Sequence, residues 1–178
     1  MRKVLYIFGQ LTDEDVEWIR RNAQKENVAS GTILIKENEP TEKLYFLIRG
    51  RFSVTSKLVE DKEIARLKSG EVVGEMSFVD SLPPSATVTA LEDGIVISID
   101  RELLIEKLED DFEFSTHFYK AIGMFLSGRL RSTTSMLGYG KGQKLEQDAT
   151  YSDEVDPNVL ENLSLAGDRF TRLIDHFS

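Results

Sequence analysis

From Asn27 to Ile99 the chain is a series of short apolar segments separated by turn-forming residues at close intervals. Ser30-Gly31 precedes Thr32-Ile33-Leu34-Ile35, and the polar stretch Lys36 to Thr41 leads to Leu44-Tyr45-Phe46-Leu47-Ile48. Gly50 marks a tight turn into the alternating segment Phe52-Ser53-Val54-Thr55. Glu60 to Glu63 reads as a charged hairpin loop, followed by Ile64 to Leu67, the turn Ser69-Gly70 and Val72-Val73. Thr87 to Ala90 and Ile95 to Ile99 close the series, with Glu92-Asp93-Gly94 as the turn between them. Many short strands with turns this close together predict a barrel, a roll or a sandwich.

The series is interrupted once, between Ser69 and Ala90. Gly74-Glu75 opens a run with apolar residues at Met76, Phe78 and Val79, long enough for one or two helical turns. Asp80-Ser81 then gives a polar loop, and Pro83-Pro84 stiffens it. A helix start offers free backbone N–H groups and the positive end of a dipole, which suit a phosphate. Gly74 lets a ligand approach the backbone closely. The Glu75 carboxylate repels phosphate but accepts hydrogen bonds from sugar hydroxyls. The same residues also suit a tight barrel corner containing a single helical turn.

Gly74-Glu75-Met76 followed by Pro83-x-Ser85-Ala86-Thr87-Val88-x-Ala90 resembles the phosphate-binding cassette of the cyclic-nucleotide-binding domain family. Leu47-Ile48-x-Gly50-x-Phe52-x-Val54 resembles that family's third and fourth strands, and Gly70-Glu71 the entry to its cassette. The resemblance covers roughly residues 8–137. It implies a mainly β fold with flanking helices: an antiparallel β-roll, jelly-roll-like, with an N-terminal helix and a long C-terminal helix. It implies that cAMP or cGMP is held at Gly74, Glu75, Met76, Ser77, Pro84, Ser85, Ala86 and Thr87. Glu75 matches the acid that takes the ribose 2′-hydroxyl. On the long helix, Thr133 and Thr134 match a purine-contacting pair. The same two threonines also suit a plain helix–helix contact.

Pro84 stands where the family carries its phosphate-binding arginine. Losing two charge-assisted hydrogen bonds costs about 3–6 kcal/mol, or on the order of 100- to 10,000-fold in affinity. Arg129 or Arg131 is the candidate compensating cation. The alternative for both is an ordinary solvated arginine. Two functional readings follow. One is a non-enzymatic sensor with a weakened nucleotide site. The other is a degenerate domain that acts as a protein-interaction or dimerisation module without nucleotide.

Composition narrows the rest. The chain has 178 residues, no cysteine and two histidines, which argues against disulfides, thiolate chemistry and a resident metal or cofactor. No nucleophile is paired with a base, and no acids stand at a telling spacing, so an enzyme is not expected. The net charge of −9 argues against nucleic-acid binding. The absence of a long apolar run or a signal layout argues for a cytoplasmic protein without membrane contact.

The flanking segments read as helices. Thr12 is an N-cap before Asp13, Glu14 and Asp15, and Val16, Ile19 and Ala23 follow at helical spacing over about residues 12–24. Val4 to Phe8 is expected to be a short strand or an extended arm. Leu103, Leu104 and Leu108 suit a short helix after Arg101. From about 112 to 137 an apolar stripe so wide that it needs two partners predicts a long helix on the roll and against a second subunit. The division expected is 1–140 for the binding-like domain, with its roll over about 27–100. A flexible linker over 141–155 and an amphipathic helix over 156–178 follow it. That last stripe needs its own chain, a second subunit or a protein partner to cover it. The chain between Phe114 and Lys144 has bases and no acids, whereas the tail is acidic; this pattern suits two solvated faces, and also a tail folded back on the long helix within the chain or across a dimer.

Overall fold

The structure is a computed structural model. It describes the backbone of residues 7–138 and 157–177, and the side chains of 7–131 and 164–177. Helix α1 (Asp13–Asn22) is followed by β1 (Gln24–Val28), β2 (Ile33–Ile35), β3 (Lys43–Arg49), β4 (Arg51–Ser56), β5 (Lys62–Lys68) and β6 (Val72–Val73). The short helix α2 (Glu75–Asp80) precedes β7 (Thr87–Ala90) and β8 (Gly94–Asp100). Helices α3 (Arg101–Asp110), α4 (Phe112–Gly138) and α5 (Pro157–His176) complete the order.

The strands form two four-stranded antiparallel sheets, β1-β8-β3-β6 and β2-β7-β4-β5. Their facing sides enclose Val28, Leu47, Phe52, Val54, Val88 and Val96, which pack into one cluster. The first sheet is covered on its outer side as well. Leu44, Phe46, Ile97 and Ile99 join a second cluster with Phe8, Ile19, Phe114, Phe118 and Phe125. Burial on both faces explains why β3 and β8 read as continuous apolar runs, not as alternating ones. The expected antiparallel β-roll with flanking helices is the fold observed.

Several local expectations change. The roll begins at Gln24, because the polar segment Gln24 to Asn27 pairs residue for residue with β8. Its Glu26 accepts from Lys43 Nζ at 2.7 Å and also from Ser98 Oγ, so the polarity is satisfied across the strands. The charged hairpin loop falls earlier than expected: it runs from Lys57 to Asp61, a single 3-10 turn followed by Glu60-Asp61, and Lys62 already belongs to β5. Of Val4 to Phe8, the described residues Ile7 and Phe8 are helical, and both are fully buried. Asp15 caps α1 together with Thr12, and its carboxylate meets His117 Nδ1 of α4 at 2.9 Å.

Helix α5 finds its cover within the same chain. Ala166, Phe170 and Leu173 are at most 2% exposed, and Phe170 lies 5.5 Å from Phe8, ring centre to ring centre. A tail base meets an acid of α1, with Arg169 Nε donating to Asp13 at 2.6 Å and Arg169 Nη1 to the Phe8 carbonyl at 3.2 Å. The expected linker over 141–155 lies outside the described residues.

The docking of α5 is testable. Phe170→Ala should cost about 3–5 kcal/mol of unfolding free energy. Leu165→Ala, at a position 44% exposed, should stay within about 0.5 kcal/mol. Urea denaturation measures both, and equally small losses would place α5 outside the core.

Candidate functional site

The interruption expected between strands is α2 with its flanking loops. Gly74 is its N-cap at φ 92°, a left-handed conformation that side chains avoid. A Cβ at Gly74 would lie 2.8 Å from the carbonyl oxygen of Lys43, so only glycine fits against β3. That approach aims the first turn of α2 at the space between the sheets.

An open cavity of about 220 Å3 lies there. Gly74, Glu75, Met76 and Ser77 form one side of it, and Pro84, Ser85 and Ala86 another. The floor is apolar, with Ile35, Val54, Leu67, Val73 and Val88. Ile64 and Ala65 of β5 complete the wall, and Arg129 reaches in from α4. Thus seven of the eight cassette positions expected from sequence share one cavity. Thr87 is turned elsewhere: its Oγ1 accepts from the amide of Glu37 at 3.1 Å. The side chains of Thr133 and Thr134 lie outside the described residues.

The second limb of the cassette is tied to neighbouring turns. The Pro84 carbonyl accepts from Asn38 N–H at 2.9 Å, and the Ser85 carbonyl accepts from Ser56 Oγ at 3.3 Å. Pro84 is itself buried. It presents an uncharged ring to the cavity, where the resemblance implied an arginine.

Glu75 is only 2% exposed. Its carboxylate forms an ion pair with Arg129, whose guanidinium also lies 5.5 Å above the Phe125 ring centre. Burial pushes the Glu75 carboxyl above the usual glutamate range, and the Arg129 charge opposes that push. Arg129 falls four residues after Phe125, so it continues the buried row Phe114, Phe118, Ile122 and Phe125. Arg131 stands two positions further, roughly 200° around the helix, and is exposed. That periodicity was the signal separating the two arginines. No such signal marked Ile64 and Ala65, which belong to the charged strand β5.

Among the described residues no group of three or more histidines, cysteines and acids stands close enough to hold a metal ion. No helix among them is long and apolar enough to cross a membrane. What the site offers is a buried carboxylate, one cation, glycine-lined backbone and an apolar floor. Those are the contacts a sugar-phosphate with a flat apolar base requires.

Residues 25–111 match the family model described as the cyclic nucleotide-binding domain. This stretch belongs to that family. Over 97 residues the chain is 34% identical to the cGMP-dependent protein kinase of Toxoplasma gondii, covering 54% of this chain and 10% of the kinase. The chain thus spans a small part of such relatives. A solved cyclic nucleotide-binding domain from Methylobacillus flagellatus superposes with a TM-score of 0.70 at 20% identity, over 80% of this chain and 85% of that one. The catabolite activator protein of Thermus thermophilus superposes with a TM-score of 0.60 at 23% identity, over 75% of this chain and 62% of that one. Both likenesses are likenesses of fold. They extend past residue 111, so the helices flanking the cyclic nucleotide-binding domain share the architecture.

The raised carboxyl at Glu75 gives a pH signature. The unfolded chain ionises this group first, so the native state holds more protons as pH rises past the usual glutamate range. Stability is therefore lost as pH rises through the raised value. Glu75→Gln lacks that loss. The stability of the variant relative to wild type should climb as pH rises above the usual glutamate range, measured by urea denaturation. A flat or falling difference would mean that the Arg129 pairing outweighs burial.

Proposed function

We propose that this chain is a non-enzymatic regulatory module that binds a cyclic nucleotide between the cassette Gly74–Ala86 and α4. The observation that carries the reading is the Glu75 carboxylate. It is held almost fully out of solvent at the mouth of an apolar cavity, beside a glycine that no other residue replaces. Glu75 accepts the sugar hydroxyl, the amides of Met76, Ser85 and Ala86 face the phosphate, and Val54, Leu67 and Val88 underlie the base. Thr133 and Thr134 approach the purine from α4. The module is cytoplasmic in this reading, with residues 1–140 as its binding unit and a linker over 141–155.

Calorimetry with cAMP and with cGMP tests it. One of the two should bind, and Glu75→Ala should weaken it by roughly 10- to 100-fold, the worth of a hydrogen bond to a charged group. Wild-type protein that binds neither nucleotide would favour the second reading, an interaction module on a retained roll.

One observation favours an interaction role in either case. On the side of α4 away from the roll, Phe112, Tyr119 and Leu130 are 87%, 50% and 65% exposed. With Leu126, which also packs partly on the core, they recur at intervals of seven and four residues, the spacing of a two-helix seam. We assign this face to a second copy of the chain, packed about a two-fold axis. Sedimentation should show a dimer that Tyr119→Glu converts to monomer. A wild-type monomer at high concentration would contradict this.

A further inference from the structure

Pro84 removes the cassette's own cation, and the cavity holds another. Among the described residues lining it, Arg129 alone is positively charged. It comes from α4, not from the roll. Its guanidinium is fixed on one side by the Phe125 ring, itself 1% exposed, and at its tip by the Glu75 carboxylate. A guanidinium has five N–H donors in a planar fork. Such a fork can serve a carboxylate and a phosphodiester together. A lysine has neither the fork nor the reach to serve both anions at once.

We propose that Arg129 is the anion-binding residue of this domain, and that its place on α4 makes ligand binding and helix docking a single event. The inference rests on the cyclic-nucleotide reading above. In a roll whose cassette supplies the cation, the phosphate is held whether or not the helix is seated. Here the phosphate is held by the helix, so the ligand staples α4 to the roll through Arg129 and Glu75. The helix has the compliance this needs. Gly123 and Gly128 flank Phe125, and a Cβ at either would meet nothing within 4 Å, so packing does not require them. Each lowers helix propensity just ahead of Arg129.

Four proteins test the proposal: wild type, Arg129→Gln, Arg129→Lys, and the double variant Pro84→Arg with Arg129→Gln. Each is titrated with cAMP and cGMP by calorimetry, and amide hydrogen exchange is followed in residues 124–131 with and without nucleotide. Arg129→Gln should lose affinity about 10- to 100-fold, and Arg129→Lys should lose part of that. The double variant should regain affinity, because the cation has moved into the cassette. Nucleotide should slow exchange in 124–131 of wild type and leave it unchanged in the double variant. Wild-type affinity in both single variants would overturn the proposal while leaving the cyclic-nucleotide reading intact. So would equal slowing of α4 in wild type and double variant. If wild type binds neither nucleotide, the reading of the previous section falls and this inference with it. Thermal melts of each variant verify folding, and Arg129→Lys keeps the test decisive should the glutamine variants unfold.

Discussion

A carboxylate with 2% of its surface in contact with solvent cannot hold its charge alone, and the geometry of this molecule follows from how that charge is met. Glu75 lies inside the roll because Gly74 brings α2 against β3. Its counter-charge comes from a residue 54 positions later, on a helix that packs over the outer side of the first sheet. Removing one member of a buried pair costs about 3–5 kcal/mol, since the other is left uncompensated. By that measure breaking the pair costs about as much as truncating one large core side chain, most of it the penalty of leaving Glu75 uncompensated.

The layering of the roll makes that contact possible. β3 and β8 lie in the middle of the first sheet and carry apolar residues on both faces. One face packs into the core between the two sheets and the other receives α1, α4 and α5. Phe78 of α2 meets Phe118 of α4 edge to face at 5.6 Å, so the cassette and the long helix share core as well as charge. Helix α5 adds a further clamp through Phe170 on Phe8 and Arg169 on Asp13, which ties the described end of the chain to its described beginning.

How much of this was legible in the sequence depended on chemistry. Doubly buried strands announced themselves as apolar runs, and α2 as the place where the runs stop. Strand β1 was hidden because Glu26 and its neighbours are polar and find partners only across strands. The cassette was legible from Gly74, Glu75 and the Pro-x-Ser-Ala pattern, since backbone approach dictates small residues locally. The contact between Glu75 and Arg129 was not, because nothing local ties residues so far apart. Only the position of Arg129 on the buried row of α4 pointed inward. The wall supplied by Ile64 and Ala65 left no trace, as a strand exposed along most of its length carries no burial pattern.

The central claim is that a sugar-phosphate enters the space between the cassette and α4. The most direct measurement is a backbone amide NMR titration with cAMP and, separately, cGMP. The account predicts that with one of them the amides of Gly74 to Ser77 and Ser85 to Ala86 shift together and saturate. It also predicts that those of Asp13 to Asn22, on the opposite side of the first sheet, remain in place. Saturating shifts confined to α1 or α5, with the cassette amides unmoved by either nucleotide, would contradict it.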